Sequence, residues 1–260
     1  MCGIIGYVGQ EKALPILIEG LQRLEYRGYD SSGVAVFDNS HICLEKCPGR
    51  ISNLIDQLGS RKFDGKAGIA HTRWATHGPP TRENAHPHRD CQGKIFLAHN
   101  GIIENYLHLK SELLAEGHVF SSETDTEVLS HLIEKYYRGD LEDAVIQTLR
   151  RVIGAYGIAV VHADHPDMLI AARNGSPLLL GVGPSERLIA SDVSAVLRRT
   201  RQVVYLEDTD VAVVSSDRHY IRSLSAGTAT RLPQAVDWDI EAAEKRGFPH
   251  FMLKEIHEGP

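Results

Sequence analysis

The second residue of the chain is a cysteine, in the run Met1-Cys2-Gly3-Ile4-Ile5-Gly6. Trimming of an initiator methionine tolerates small second residues, cysteine among them, so the expected mature chain begins at Cys2. Its thiol and free α-amino group would then sit on adjacent atoms. An α-amine has an ordinary pKa of about 7.7 to 8.0, so one residue can supply both a nucleophile and the base that activates it. A cysteine at position 2 is also compatible with chance. Acyl transfer further needs donors to the oxyanion that forms when a thiolate attacks a carbonyl. The run Leu97-Ala98-His99-Asn100-Gly101 offers an amide side chain and a glycine N–H at the expected end of a strand, although Asn-Gly is equally a common turn dipeptide.

The stretch from His71 to Gly78 places a guanidinium (Arg73), an indole (Trp74), a hydroxyl (Thr76) and two imidazoles (His71, His77) close together. A planar Arg fork suits a carboxylate. The competing structural reading puts Arg73 in an internal ion pair and Trp74 in the core. Asp125, in the first turn of an expected helix, could hold an ammonium group, or could simply complement the helix dipole. His71, His77, His86, His88 and Cys91 raise a metal site, and on a strand His86 and His88 would point to one side. Their spacing matches no compact zinc signature, and Cys43 and Cys47 lack a matching second pair. Neither a metal nor a cofactor is therefore expected.

The elements that must position these groups read as follows. Short apolar runs bounded by turn residues predict strands at 4–8, 33–37, 68–72 and 95–99. Leu14, Leu17, Ile18, Leu21 and Leu24 have helical spacing and predict a helix over 13–24. Three more helices are expected at 107–116, 126–138 and 141–152, the first of these following a loop after residue 99. Thr124 and Glu127 have the spacing of a capping box for the middle one. From Gly157 on, strands recur about every ten residues, at 158–162, 168–172, 178–182, 187–190, 203–206, 211–214 and 220–224. That spacing is too short for parallel crossovers, so the class is α+β with antiparallel sheets covered by helices.

The 260 residues are 42% hydrophobic and 24% charged with a net charge of -6, a composition that can bury a sizeable core. The 28 Lys and Arg residues are scattered, so no nucleic-acid partner is expected. No apolar run approaches the length of a membrane span, and no basic stretch leads into a signal core, so a cytoplasmic protein without membrane contact is expected. The four cysteines are expected as free thiols.

Six ordered motifs carry a resemblance. Met1 to Gly6, Glu25-Tyr26-Arg27-Gly28-Tyr29-Asp30-Ser31-Ser32-Gly33, His71 to Gly78, Asn84-Ala85-His86-Pro87-His88, His99-Asn100-Gly101-Ile102-Ile103-Glu104-Asn105 and Ser122-Glu123-Thr124-Asp125-Thr126-Glu127 resemble the glutaminase domains of class II glutamine amidotransferases. Among these, they are most similar to the glucosamine-6-phosphate synthase family. Related class II enzymes share the Cys-Gly start and the Asn-Gly pair. Tyr-Arg-Gly-Tyr-Asp and Thr-Arg-Trp-Ala-Thr-His favour the sugar-phosphate branch. A non-catalytic regulatory or metal-binding module that keeps these residues as scaffold is the alternative of another class.

The resemblance implies an N-terminal-nucleophile hydrolase fold, an αββα sandwich of two antiparallel sheets between helical layers. It implies Cys2 as nucleophile with its own amine as base, and Asn100 with the Gly101 N–H as oxyanion hole. Arg73, Thr76, His77 and Asp125 would bind L-glutamine. Trp74 would gate an ammonia path, and Arg27 would support the nucleophile loop. Residues 1–235 would form the glutaminase domain. Residues 236–260 would be a linker and the truncated start of a missing sugar-phosphate isomerase domain, and the full-length form would be a homodimer.

Overall fold

The computed structural model describes residues 2–38, 41–61, 63–237 and 257. In chain order its elements are β1 (Gly3–Val8), α1 (Ala13–Leu24), β2 (Ser31–Asp38), β3 (His41–Pro48), α2 (Ile51–Leu58), β4 (Ala67–Arg73), β5 (His88–Arg89) and β6 (Ile95–Ile103). There follow α3 (Tyr106–Ala115), α4 (Glu127–Tyr136), α5 (Leu141–Leu149), β7 (Gly154–His162), β8 (Leu169–Asn174), β9 (Leu179–Val182) and β10 (Arg187–Ala190). The last strands are β11 (Gln202–Tyr205), β12 (Asp210–Val214), β13 (His219–Ser223), β14 (Gly227–Ala229) and β15 (Gln234–Ala235).

The strands form two sheets, ordered β15-β11-β9-β10-β1-β4-β2-β3 and β14-β13-β12-β8-β7-β6-β5. The expected class therefore holds: every strand pairing is antiparallel. Four layers stack in the order helices, sheet, sheet, helices, with three apolar clusters between them. Alternation along β1 explains how one strand serves two of them. Ile5 and Tyr7 pack with Leu17, Leu21 and Leu24 of α1. Ile4 and Val8 face the second sheet, against Phe96, Ala98 and Ala159. A third cluster joins β6 and β7 to Leu113, Leu129, Leu132 and Val145 of the helices beyond. Each fully buried leucine contributes roughly 2 kcal/mol. Gly20 lets α1 lie close on the sheet, since a Cβ there would stand 2.8 Å from Ile5 Cγ1.

Three expectations need correction. First, β6 does not stop at His99 but continues through Asn100 and Gly101 to Ile103. Gly101 has φ +136° and no Cβ, and a Cβ there would run into the Ala155 carbonyl on β7. The strand therefore passes through Gly101 without breaking, its pairing with β7 intact.

Second, the capping box does not form. Thr126 is the residue preceding α4, and its side chain makes no cap. Glu127 instead opens the helix and accepts from Ser121 N (2.8 Å) and Ser122 N (2.7 Å). The Thr124 hydroxyl turns to His88 Nε2 (3.1 Å).

Third, β3 and α2 were not among the expected elements. Ile51, Leu54, Ile55 and Leu58 have the helical period in a segment of only eight residues. β3 is an edge strand whose burial does not alternate. The linker expected at 236–260 lies almost wholly outside the described residues; Val236 still packs in the first core cluster.

Candidate active site

Cys2 stands one residue ahead of β1, and the ladder that pairs Gly3 with Thr72 sets it beside the end of β4. There the Trp74 N–H donates to Cys2 Sγ at 3.1 Å. Arg27 fixes the same residue from the other side, its Nε donating to Cys2 O (3.3 Å) and its Nη1 bonding Asp192 Oδ2 (3.0 Å). Burial pushes the Cys2 thiol pKa up, and the Trp74 N–H opposes that rise. A thiol in this state needs a base to become a nucleophile at neutral pH.

β6, from the second sheet, brings Asn100 to the same place. Its Nδ2 donates to Cys2 O (3.2 Å), and its Oδ1 lies 3.0 Å from His71 Nε2. Because the amide oxygen must accept, His71 carries its proton on Nε2 and pins the carboxamide orientation. Burial lowers the His71 pKa to about 3, so the ring stays neutral in that role. Nothing about position 71 in the sequence distinguishes this support from a ligand; the signal is its place opposite Ile4 on the β1–β4 ladder. His86 Nδ1 accepts from the His99 N–H (3.2 Å), and its ring stacks on His71 at 4.2 Å between centroids. Three of the five metal candidates thus form a buried aromatic cluster, His86 stacked on His71 and His88 edge-on to His86 at 4.6 Å.

Arg73 is 3% exposed. Its guanidinium donates to the carbonyls of His77, Gly78 (3.1 Å) and Pro79 (3.2 Å). Among the described residues it makes no salt bridge, so the internal ion pair considered for it is absent. A buried cation whose donors meet only carbonyls can receive a carboxylate. Trp74 is 52% exposed, edge-on to Tyr29 at 5.9 Å, which removes the core reading of that residue. Asp125 is buried; its Oδ2 accepts from Ile103 N (2.8 Å), and its Oδ1 lies 3.8 Å from His77 Nδ1. Asn84 ties the two loops of this wall, accepting from Glu123 N (2.9 Å) and donating to Pro79 O (3.0 Å).

Together these groups surround one cavity of about 350 Å³. All nine residues singled out in the sequence, Cys2, Arg27, Arg73, Trp74, Thr76, His77, Asn100, Gly101 and Asp125, line it. Ser176 and Pro177, from the turn between β8 and β9, also line it. They bear no chemistry that would have marked them in the sequence. A thiol, an amide donor, a cation and a carboxylate around a cavity of this size suit acyl transfer on an amino-acid substrate.

The model of the glutamine amidotransferase domain family matches residues 71–198. The chain is 52% identical over 260 residues to a glutamine–fructose-6-phosphate aminotransferase (isomerizing) of Thermus thermophilus, covering all of this chain and 43% of that protein. It is 49% identical over 263 residues to the enzyme of the same name from Thermococcus kodakarensis, covering 100% of this chain and 44% of that protein. The chain thus spans less than half the length of these curated relatives. Among solved structures, glutamine phosphoribosylpyrophosphate amidotransferase from B. subtilis superposes with a TM-score of 0.75 at 28% identity, over 87% of this chain and 50% of that one. The fold, the ordered motifs and these similarities place the chain in one family: it belongs to the class II glutamine amidotransferase domains.

Proposed function

We propose that this chain hydrolyses L-glutamine to glutamate and ammonia with Cys2 as nucleophile. The observation that carries the reading is the convergence of Cys2, Asn100, Arg73 and Asp125 on one cavity. Once Met1 has been removed, the α-amine of Cys2 takes the thiol proton as sulfur attacks the side-chain amide carbon. Asn100 Nδ2 and the Gly101 N–H receive the oxyanion. The C–N bond breaks, the amine returns the proton to the departing ammonia, and water hydrolyses the γ-glutamyl thioester. Arg73, with Thr76 and His77, binds the substrate α-carboxylate, and Asp125 binds its ammonium. Trp74 gates the exit of ammonia, and Arg27 holds the nucleophile loop.

In the longer protein, the ammonia would serve glucosamine-6-phosphate synthesis from fructose 6-phosphate, as the names of the relatives imply. Residues 236–260 are then the linker from the 1–235 domain to an isomerase domain. The full-length enzyme would be a cytoplasmic homodimer. No helix among the described residues is long and apolar enough to cross a membrane.

A thiol-alkylating diazoketone analogue of glutamine tests the reading. The expected result is one label, located at Cys2 by peptide mass spectrometry, competed by glutamine and accompanied by loss of glutaminase activity; Cys2→Ala is unlabelled and inactive. Labelling at Cys43, Cys47 or Cys91 with Cys2 untouched overturns it.

A further inference from the structure

Outside this cavity, Cys91, His118, His131 and Glu134 turn one ligand atom each toward a common point. They come from three separate segments: Cys91 from the hairpin between β5 and β6, His118 from the turn after α3, and His131 and Glu134 from α4 at i, i+3 spacing, which shares a helix face. Cys91 Sγ lies 3.4 Å from His131 Nδ1 and 3.6 Å from His118 Nδ1. The two Nδ1 atoms are 3.3 Å apart. Glu134 Oε2 is 3.1 Å from His118 Nδ1 and 3.5 Å from His131 Nδ1.

The N–N separation of 3.3 Å and the longer N–O separation of 3.5 Å exceed ordinary hydrogen-bond lengths of about 2.7 to 3.2 Å. All five separations match the edges of a tetrahedron around a metal ion. With Zn–N near 2.0–2.1 Å and Zn–S near 2.3 Å, tetrahedral geometry gives N–N edges of about 3.3 Å and S–N edges of about 3.6 Å. A hydrogen-bonded cluster would also have to place a proton between two facing imidazole nitrogens that serve equally well as acceptors.

The surroundings are those of a ligand set. Val119 N donates to Cys91 Sγ at 3.4 Å, as suits a thiolate, and Cys91 N donates to Glu134 Oε2 at 3.2 Å. The far nitrogen of His131 is buried without a hydrogen-bond partner; the nearest carboxylate oxygen, of Glu127, lies 3.6 Å away, beyond hydrogen-bond length. The His131 ring is 1% exposed, and the side chains of His118 and Glu134 are 13% and 12% exposed. A thiolate and a carboxylate balance a divalent charge with two neutral imidazoles, so the site is electrically neutral.

We propose that Cys91, His118, His131 and Glu134 bind one zinc ion in a closed, four-protein-ligand structural site. Sulfur and imidazole donors in a tetrahedron select zinc over the hard oxygen-seeking cations. The ion would clamp the β5–β6 hairpin and the exit of α3 onto α4, whose N-terminal end carries the cavity wall at Asp125. This inference does not depend on the glutaminase reading. The set weighed and set aside in the sequence, His71, His77, His86, His88 and Cys91, shares only Cys91 with it.

The test uses the 260-residue chain, stripped with chelator, dialysed against zinc and assayed by elemental mass spectrometry. We expect one zinc per chain. In cobalt-substituted protein we expect intense visible bands of tetrahedral Co(II) with a thiolate-to-cobalt charge-transfer band. Cys91→Ser and His118→Ala should each weaken zinc binding by more than about 100-fold, beyond what loss of a supporting hydrogen bond costs. Both should keep a native circular dichroism spectrum, and Cys2→Ala should keep the metal. Chelator should lower the melting temperature of the wild type but not of Cys91→Ser. A wild-type chain that takes up no zinc, a cobalt spectrum without the sulfur band, or zinc retained at full affinity by both variants would each overturn the proposal.

Discussion

At the scale of single residues, Asn100 shows how little freedom the site allows. Its carboxamide is held at both ends, by Cys2 O and by His71, so it is oriented before any substrate arrives. An oxyanion donor set in advance is worth on the order of 3–4 kcal/mol in the transition state. Asn100→Ala should therefore lower kcat for glutamine by about 10²–10³ while KM changes little. Steady-state kinetics decide it; an unchanged kcat would remove Asn100 from the oxyanion hole. Residues with conspicuous chemistry were legible in the sequence because Cys, Arg, Asp and Asn-Gly announce what they can do. The duty of His71 was not, because it depends on which way a strand residue faces. Ser176 and Pro177 reach the cavity only through the return of a distant hairpin.

At the scale of elements, β6 makes the site by continuing where a turn dipeptide reads as a stop. The pairing of Asn100 with Gly157 and Gly101 with Tyr156 keeps both donors in the sheet. Gly101→Ala should destabilise the protein by about 1–3 kcal/mol, because its φ of +136° and its contact with Ala155 O leave no room for a methyl group. Urea unfolding measures this, and a midpoint equal to wild type would contradict the close approach. Long apolar-periodic segments such as α1 and the regularly spaced late strands were readable in advance. The short α2, the edge strand β3 and the replaced capping box were not. Each of these is decided by tertiary partners, such as Ser121 and Ser122 drawing Glu127 away from a cap.

At the scale of the whole molecule, the space where the two sheets meet the cavity holds a layer of neutral imidazoles. His71, His86 and His99 are all buried, and burial lowers each pKa, that of His71 to about 3. In the unfolded chain a histidine titrates near 6.5. Above that pH neither state is protonated and the folded state is at full strength. As pH falls below it, the unfolded chain takes up protons that the native fold refuses, so stability is lost. The expected slope is about 1.4 kcal/mol per pH unit per histidine, continuing for His71 down to about pH 3. Urea midpoints measured from pH 7.5 to 5 should fall steadily once below about pH 6.5; a flat profile would mean these rings take up protons in the native state as readily as in the unfolded chain.

The sheet order has a further consequence at this scale, for self-association. An unpaired edge is a template on which another chain can add a strand. Among the described residues, three of the four edges are nearly too short to serve: β15 and β5 have two residues each and β14 has three. The one long edge is β3, eight residues carrying Glu45 and Lys46 at its middle and closed by Pro48. Strand-by-strand growth into fibrils therefore has one long template among the described strands, already blunted by charge and a proline.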